Sequence, residues 1–160
     1  MERAHCRAFT LIELMVVIAV MAILALIALP TYVDKLAREQ IAEALPLADI
    51  AKPPVAAAWS QSQPLPADNA AAGLPPPEKI VSTLVSSVTM QEGVIHIRFG
   101  NSANRALKGK TLSLRPAGVE DARMVPVAWI CAKAAVPDKM TVTGADRTDI
   151  PVGLLPMRCR

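Results

Sequence analysis

Hydrophobic and polar positions divide this chain into three stretches. From Leu14 to Val33, twenty residues run without a charge, and most are Leu, Ile, Val, Met or Ala. A helix of that length spans about 30 Å, the thickness of a bilayer's hydrocarbon core. Beyond it the apolar positions thin to Val33, Leu36, Ala37, Ile41, Ala44, Leu45 and Ala48, interleaved with Asp34, Lys35, Arg38, Glu39 and Glu43. That spacing predicts a helix with one apolar and one charged face. Pro30 lies between the two halves. Lacking an N–H, it should kink or loosen the helix rather than end it, and Pro46 should act in the same way. Pro53-Pro54 is harder to accommodate, with the helix resuming through Trp59. A helix from Phe9 to about Trp59 would be ~75 Å long.

The third stretch begins with proline. From Gln61 to Pro77 its density forbids regular structure and predicts a loop. Strand patterns follow at Val81–Met90, Val94–Phe99, Thr111–Arg115 and Val125–Cys131, each bounded by Gly, Pro or Asn. Short connections favour antiparallel order, and one face should bury Leu, Ile, Phe and Val against the helix. The expected fold class is α+β: a long N-terminal helical spine packed on a four-stranded antiparallel sheet.

Composition adds exclusions. The chain is 52% hydrophobic but only 3% aromatic, so aliphatic residues and alanine supply the apolar excess. Its net charge is +3, with no dense basic block, which does not indicate nucleic-acid binding. There is no Gly-rich phosphate loop and no Gly-x-Ser-x-Gly motif. His5 and His96 are not spaced to complete a metal site with the cysteines. Neither enzymatic activity, a cofactor nor a bound metal is expected. His96 alternates with Ile95 and Ile97 and is read as facing solvent or a helix edge. Trp59 and Trp129 are read as packing residues.

The N-terminus carries the candidate chemistry. Met1–Ala8 is short and polar, with Arg3 and Arg7. The apolar run is longer than the core of a secretory signal and continues into the amphipathic stretch, as a permanent anchor would. No apolar segment precedes Cys6, which argues against lipoprotein processing there. Glu13 stands near the start of the run. A carboxylate in hydrocarbon requires a cationic partner, and no Lys or Arg follows it within a helical turn.

Phe9-Thr10-Leu11-Ile12-Glu13-Leu14-Met15-Val16-Val17 resembles the N-terminus of mature type IV pilins. So, more loosely, does Pro30 followed by Tyr32. Gly93-Val94-Ile95, Phe99–Asn104, Gly109–Leu112 and Trp129-Ile130-Cys131 resemble blocks of the type IVa major pilins, so the resemblance covers most of the chain. It implies a prepilin with an uncleaved leader. A membrane-embedded prepilin peptidase would cut between Ala8 and Phe9 and methylate the new Phe9 amine. That amine, still cationic, would pair with Glu13 of a neighbouring subunit and fix axial register in a homopolymer. Ala8 stands where the family usually carries Gly. The chain would sit in the lipid bilayer of the inner membrane, engage an assembly platform there, and end in an extracellular pilus serving adhesion, motility or DNA uptake.

On this reading residues 1–8 are the leader, 9–33 the membrane and assembly half of the helix, and 34–60 its amphipathic half. Residues 61–80 are the proline-rich loop, 81–132 the sheet and 133–160 a C-terminal loop. Cys131 and Cys159 bound that loop, and the resemblance implies a disulfide between them, which leaves Cys6 in the leader. The loop carries Lys133, Lys139, Arg147, Arg158 and Arg160 against Asp138, Asp146 and Asp149. Two alternatives stay open: a minor pilin using this basic loop on DNA or a surface receptor, and a secretion-system pseudopilin. The latter typically has a calcium-binding loop, and no Asp/Asn-rich ligand run occurs here.

Overall fold

The computed structural model describes residues 9–160. The leader, with Ala8, lies outside the described residues, as does the side chain of Pro30. The chain divides into two compact units that meet at Lys35 and Leu36.

Helix α1 is Leu11–Ala44. Its start is written locally: Thr10 accepts the Glu13 N–H on its hydroxyl at 3.3 Å and the Leu14 N–H on its carbonyl at 3.2 Å. This is the N-cap half of a Thr-x-x-Glu capping box, with Glu13 in the first turn where the helix dipole favours an anion. The helix continues through Pro30 without ending. It changes character at Pro46, which cannot donate to the carbonyl four residues back. There the chain tightens into a 3-10 helix, Leu45–Ala51. Helix α2, Lys52–Ser60, then starts with Pro53-Pro54 in its first turn, where missing N–H groups have no intrahelical acceptor to lose. The proline pair therefore starts a helix instead of breaking one.

Beside Trp59, the buried helical residues are Ala37, Ile41, Ala44, Ala48, Ala51, Val55 and Ala58. Their spacing alternates four and three, so one stripe persists through the 3-10 segment, and its alanines let the backbone approach the sheet closely. Leu36, although apolar, is exposed. It lies about 100° round the helix from Ala37, off the stripe, and Val33 is exposed as well.

Four strands pair antiparallel in sequence order: β1 (Val85–Gln91), β2 (Val94–Phe99), β3 (Thr111–Gly118) and β4 (Ala128–Cys131). β1 and β2 are joined through Glu92 and Gly93, both at positive φ, as a two-residue hairpin turn of matching twist requires. β1 starts later than the pattern predicts. The Ser82 hydroxyl accepts the N–H groups of Leu84 and Val85 and folds the preceding residues into a turn. β4 likewise starts three residues late, because Val125 closes a turn onto Ala122.

A two-residue strand absent from the sequence reading, β5 (Thr141–Val142), pairs with β3 at Ala117 and Gly118. Ala117 pairs with β4 as well, so β5 lies on the β2 side of β3, beyond the end of β2. Pro116 stands at that exchange of partners, where a missing N–H is tolerated. Gly118 packs under Trp59; a Cβ there would come within 2.2 Å of the indole.

Ile95, Ile97, Phe99, Leu112 and Leu114 pack with Ile41 and Val55 in one core. Gln40 ties the helix to the β2–β3 connection by accepting the Asn104 N–H at 2.7 Å. The proline-rich segment is also anchored. Asn69 is buried, donates to the carbonyls of Pro75 and Val88, and accepts the Met90 N–H. Its amide thus stands in for a neighbouring strand along the outer edge of β1.

Candidate functional site

The residues singled out in the sequence fall into two groups, one in each unit. In the first, Phe9 is 80% exposed, and the large apolar side chains of the helix from Leu11 to Ile27 are exposed as well. The helix is long and apolar enough to cross a membrane, with mean hydropathy 3.0 over eighteen residues, none of them buried within the chain. Glu13 lies four residues beyond Phe9, in the first turn of the helix. It makes no ion pair among the described residues.

A single chain therefore presents an apolar rod with one carboxylate near its start. Such a surface is stable in a bilayer or against copies of itself, not in water. In either setting a carboxylate without a counter-charge is costly.

In the second unit Cys131 and Cys159 form a disulfide with Cα atoms 4.6 Å apart, both residues buried. The loop it closes is held down along its length. Thr143 donates to the Pro116 carbonyl, and Asp149 exchanges two hydrogen bonds with the Thr111 backbone. Ile150 and Leu155 enter the core. Arg38 of α1 donates to the Gly153 carbonyl at 3.0 Å. Arg160 donates to the carbonyls of Leu155 and Gly153, so the chain end is fastened by its guanidinium as well as by sulfur.

The charges of this loop are not equivalent. Asp146 and Asp149 accept backbone N–H groups of Thr148 and Thr111. Arg160 is engaged with carbonyls. Lys133, Lys139, Arg147 and Arg158 are exposed. Among the described residues no group of three or more His, Cys, Asp or Glu is placed to hold a metal ion.

His96 departs from expectation. It is 7% exposed, and its Nδ1 lies 2.9 Å from the hydroxyl of Ser113, itself fully buried. Alternation correctly puts it on the face away from Ile95 and Ile97, but residues 145–148 cover that face. Burial, with Arg147 adding to it, lowers its pKa from the ordinary histidine value, and Asp146 opposes the shift. The tryptophans behave as read: Trp59 is buried under the Arg123 guanidinium, 4.4 Å from the ring centroid, and Trp129 packs against the core with Lys52 at 5.9 Å.

Comparison with known proteins agrees with this geometry. Residues 37–160 match the family described as Pilin (bacterial filament). Residues 3–29 match the prokaryotic N-terminal methylation motif. The chain is 36% identical to a fimbrial protein of Neisseria meningitidis serogroup B over 96% of its own length and 94% of the relative's. It is 36% identical to a type IV major pilin protein, PilE1, of Neisseria gonorrhoeae over 96% and 87%. With the fimbrial protein EcpC of Eikenella corrodens identity reaches 40% over 68% and 73%. The exposed apolar helix, the sheet packed on its second half and these matches together place the chain in the type IV pilin family, as a prepilin and structural subunit of a pilus.

Proposed function

We propose that this chain is the major subunit of its pilus, held in the inner membrane by residues 9–33 until an assembly platform draws it into the filament. The leader is removed between Ala8 and Phe9 by a prepilin peptidase, and the freed Phe9 amine is N-methylated. In the filament that amine, a cation, meets Glu13 of a neighbouring subunit. The observation that carries this reading is the exposed apolar helix with one carboxylate in its first turn and no partner for it among the described residues of the same chain.

Alanine is the next smallest residue after glycine, so Ala8 leaves the cut site accessible to the peptidase. Pro30 is the point at which the helix can loosen during extraction from the bilayer, because one hydrogen bond of its ladder is missing.

Composition of sheared surface fibres tests the major-subunit reading. This chain should dominate them. Its presence only in traces beside another, abundant pilin would contradict that role and favour a minor subunit, with the exposed Lys133, Lys139, Arg147 and Arg158 available to a receptor or DNA.

A further inference from the structure

The face of the sheet opposite Ile95 and Ile97 carries a hydrogen-bond chain through His96 and Ser113. The Arg147 N–H donates to the Ser113 hydroxyl oxygen at 2.9 Å. That hydroxyl lies 2.9 Å from His96 Nδ1. The Ser113 N–H donates to the Thr148 hydroxyl at 3.1 Å. Segment 145–148 is thus strapped across β2 and β3 through one serine. Beside the imidazole is a recess of ≈ 100 Å³ lined by Gln91, Glu92, Val94, His96, Ala145 and Arg147.

The direction of these bonds is assigned from the needs of the buried hydroxyl. Ser113 is fully buried and has one hydroxyl proton. Its oxygen accepts from Arg147, and the acceptor within reach of its proton is His96 Nδ1, which in that arrangement holds a lone pair. The neutral imidazole is therefore the Nε2–H tautomer. Protonation places a second N–H on Nδ1, facing the same oxygen. The serine proton then has no acceptor, and a buried hydroxyl without one costs free energy. The new cation also forms beside Arg147.

Every charged group around the ring enters this balance. Asp146 on the strap and Glu92 on the hairpin rim favour the imidazolium. Arg147 opposes it, as do Arg98 and Arg115, two residues along the same faces of β2 and β3. Burial opposes it too, and the net effect favours the neutral ring.

We infer that His96 and Ser113 form an acid-sensitive latch: the neutral imidazole holds segment 145–148 against the sheet, and its protonation releases that segment from the middle of the disulfide-bounded loop. The loop's surface then differs between neutral and mildly acidic surroundings while the Cys131–Cys159 bridge keeps both its ends in place.

The sign follows from linkage. The closed strap binds the proton less well than the open one, so closure is strongest above the open-state pKa of about 6.5 and weakens as the pH falls below it. The population of the open form rises by up to about tenfold between pH 7.5 and 5.5, the limit reached when the closed form takes up no proton.

Amide hydrogen exchange on the full chain in detergent micelles reads this directly. After correction for the intrinsic exchange rate, protection at Arg147 and Asp149 should fall by up to about tenfold from pH 7.5 to 5.5, while Met90, held by Asn69, and Ile97, paired with β3, stay constant. In His96→Gln the protection of Arg147 and Asp149, whatever its level, should no longer depend on pH over this window. Imidazole 15N shifts of the wild type should report the Nε2–H tautomer and titrate with the same midpoint as the loss of protection. Constant protection in the wild type, an equal fall in His96→Gln, or an Nδ1–H tautomer would overturn the latch.

Discussion

Replacing Glu13 by alanine should leave leader removal intact and abolish filament formation. The proposed cut site lies on the other side of Phe9, so a peptidase acting there need not read the carboxylate. Assembly, in contrast, would leave the Phe9 amine of one subunit buried against a neighbour without its counter-charge. Breaking a buried ion pair by removing one partner costs about 3–5 kcal/mol, which is a factor of more than about a hundred in each subunit–subunit equilibrium. Repeated along a polymer, that is enough to empty the surface of fibres.

A second substitution separates this account from a local one. Thr10 and Glu13 also form the sequence of a capping box, and Thr10 does cap the helix. Glutamine at position 13 keeps the capping function, since the box accepts Glu or Gln, but carries no charge. If the carboxylate acts through its charge, Glu13→Gln fails to assemble as Glu13→Ala does. If capping were its role, Glu13→Gln would make normal fibres.

The disulfide carries the second large effect. Closing a loop of this length restricts the unfolded chain by about 3–4 kcal/mol in the chain-entropy description. That is a large fraction of the 5–15 kcal/mol typical of a folded domain. The double substitution Cys131→Ser/Cys159→Ser should lower the unfolding midpoint of the full chain in detergent, followed by the fluorescence of Trp59 and Trp129, both in the second unit. Loosening should be greatest at Leu155 and Ile150, which enter the core from the closed loop, and at the carbonyls that Arg38 and Arg160 hold. An unchanged midpoint would mean that these side-chain anchors suffice without the bridge.

Much of this architecture is legible in the sequence because it repeats. The helical stripe from Ala37 to Ala48 shows in spacing alone, although Val33 and Leu36 fall off it, and so do the alternations of β2 and the first half of β3. The disulfide follows from family resemblance, and the structure forms it. Other features have no local signature. Alternation puts His96 on the face opposite Ile95 and Ile97, but whether that face meets water is decided some fifty residues later, by a strap with little pattern of its own. β5 is two residues long and exists only because β2 ends before β3 does. Asn69 lies in an alanine- and proline-rich segment, and nothing in its neighbours announces that its amide completes the edge of β1. Thr-x-x-Glu at residues 10–13, by comparison, was available as a helix-start signal.

The candidate site shows the same division. The motif around Phe9 and Glu13 names the residues, and the fold adds that the rod they begin is exposed in a single chain and Glu13 unpaired there among the described residues. The proposed partnership with a second subunit rests on the cost of leaving that carboxylate alone in an apolar contact.

The mass of the subunit in purified filaments tests that central claim most directly. After reduction and digestion, the N-terminal peptide should begin at Phe9 and carry one methyl group on its amine. Without reduction, the peptides of Cys131 and Cys159 should appear linked. Filaments built from chains that retain residues 1–8 would contradict the account, because no Phe9 amine would then exist to meet Glu13.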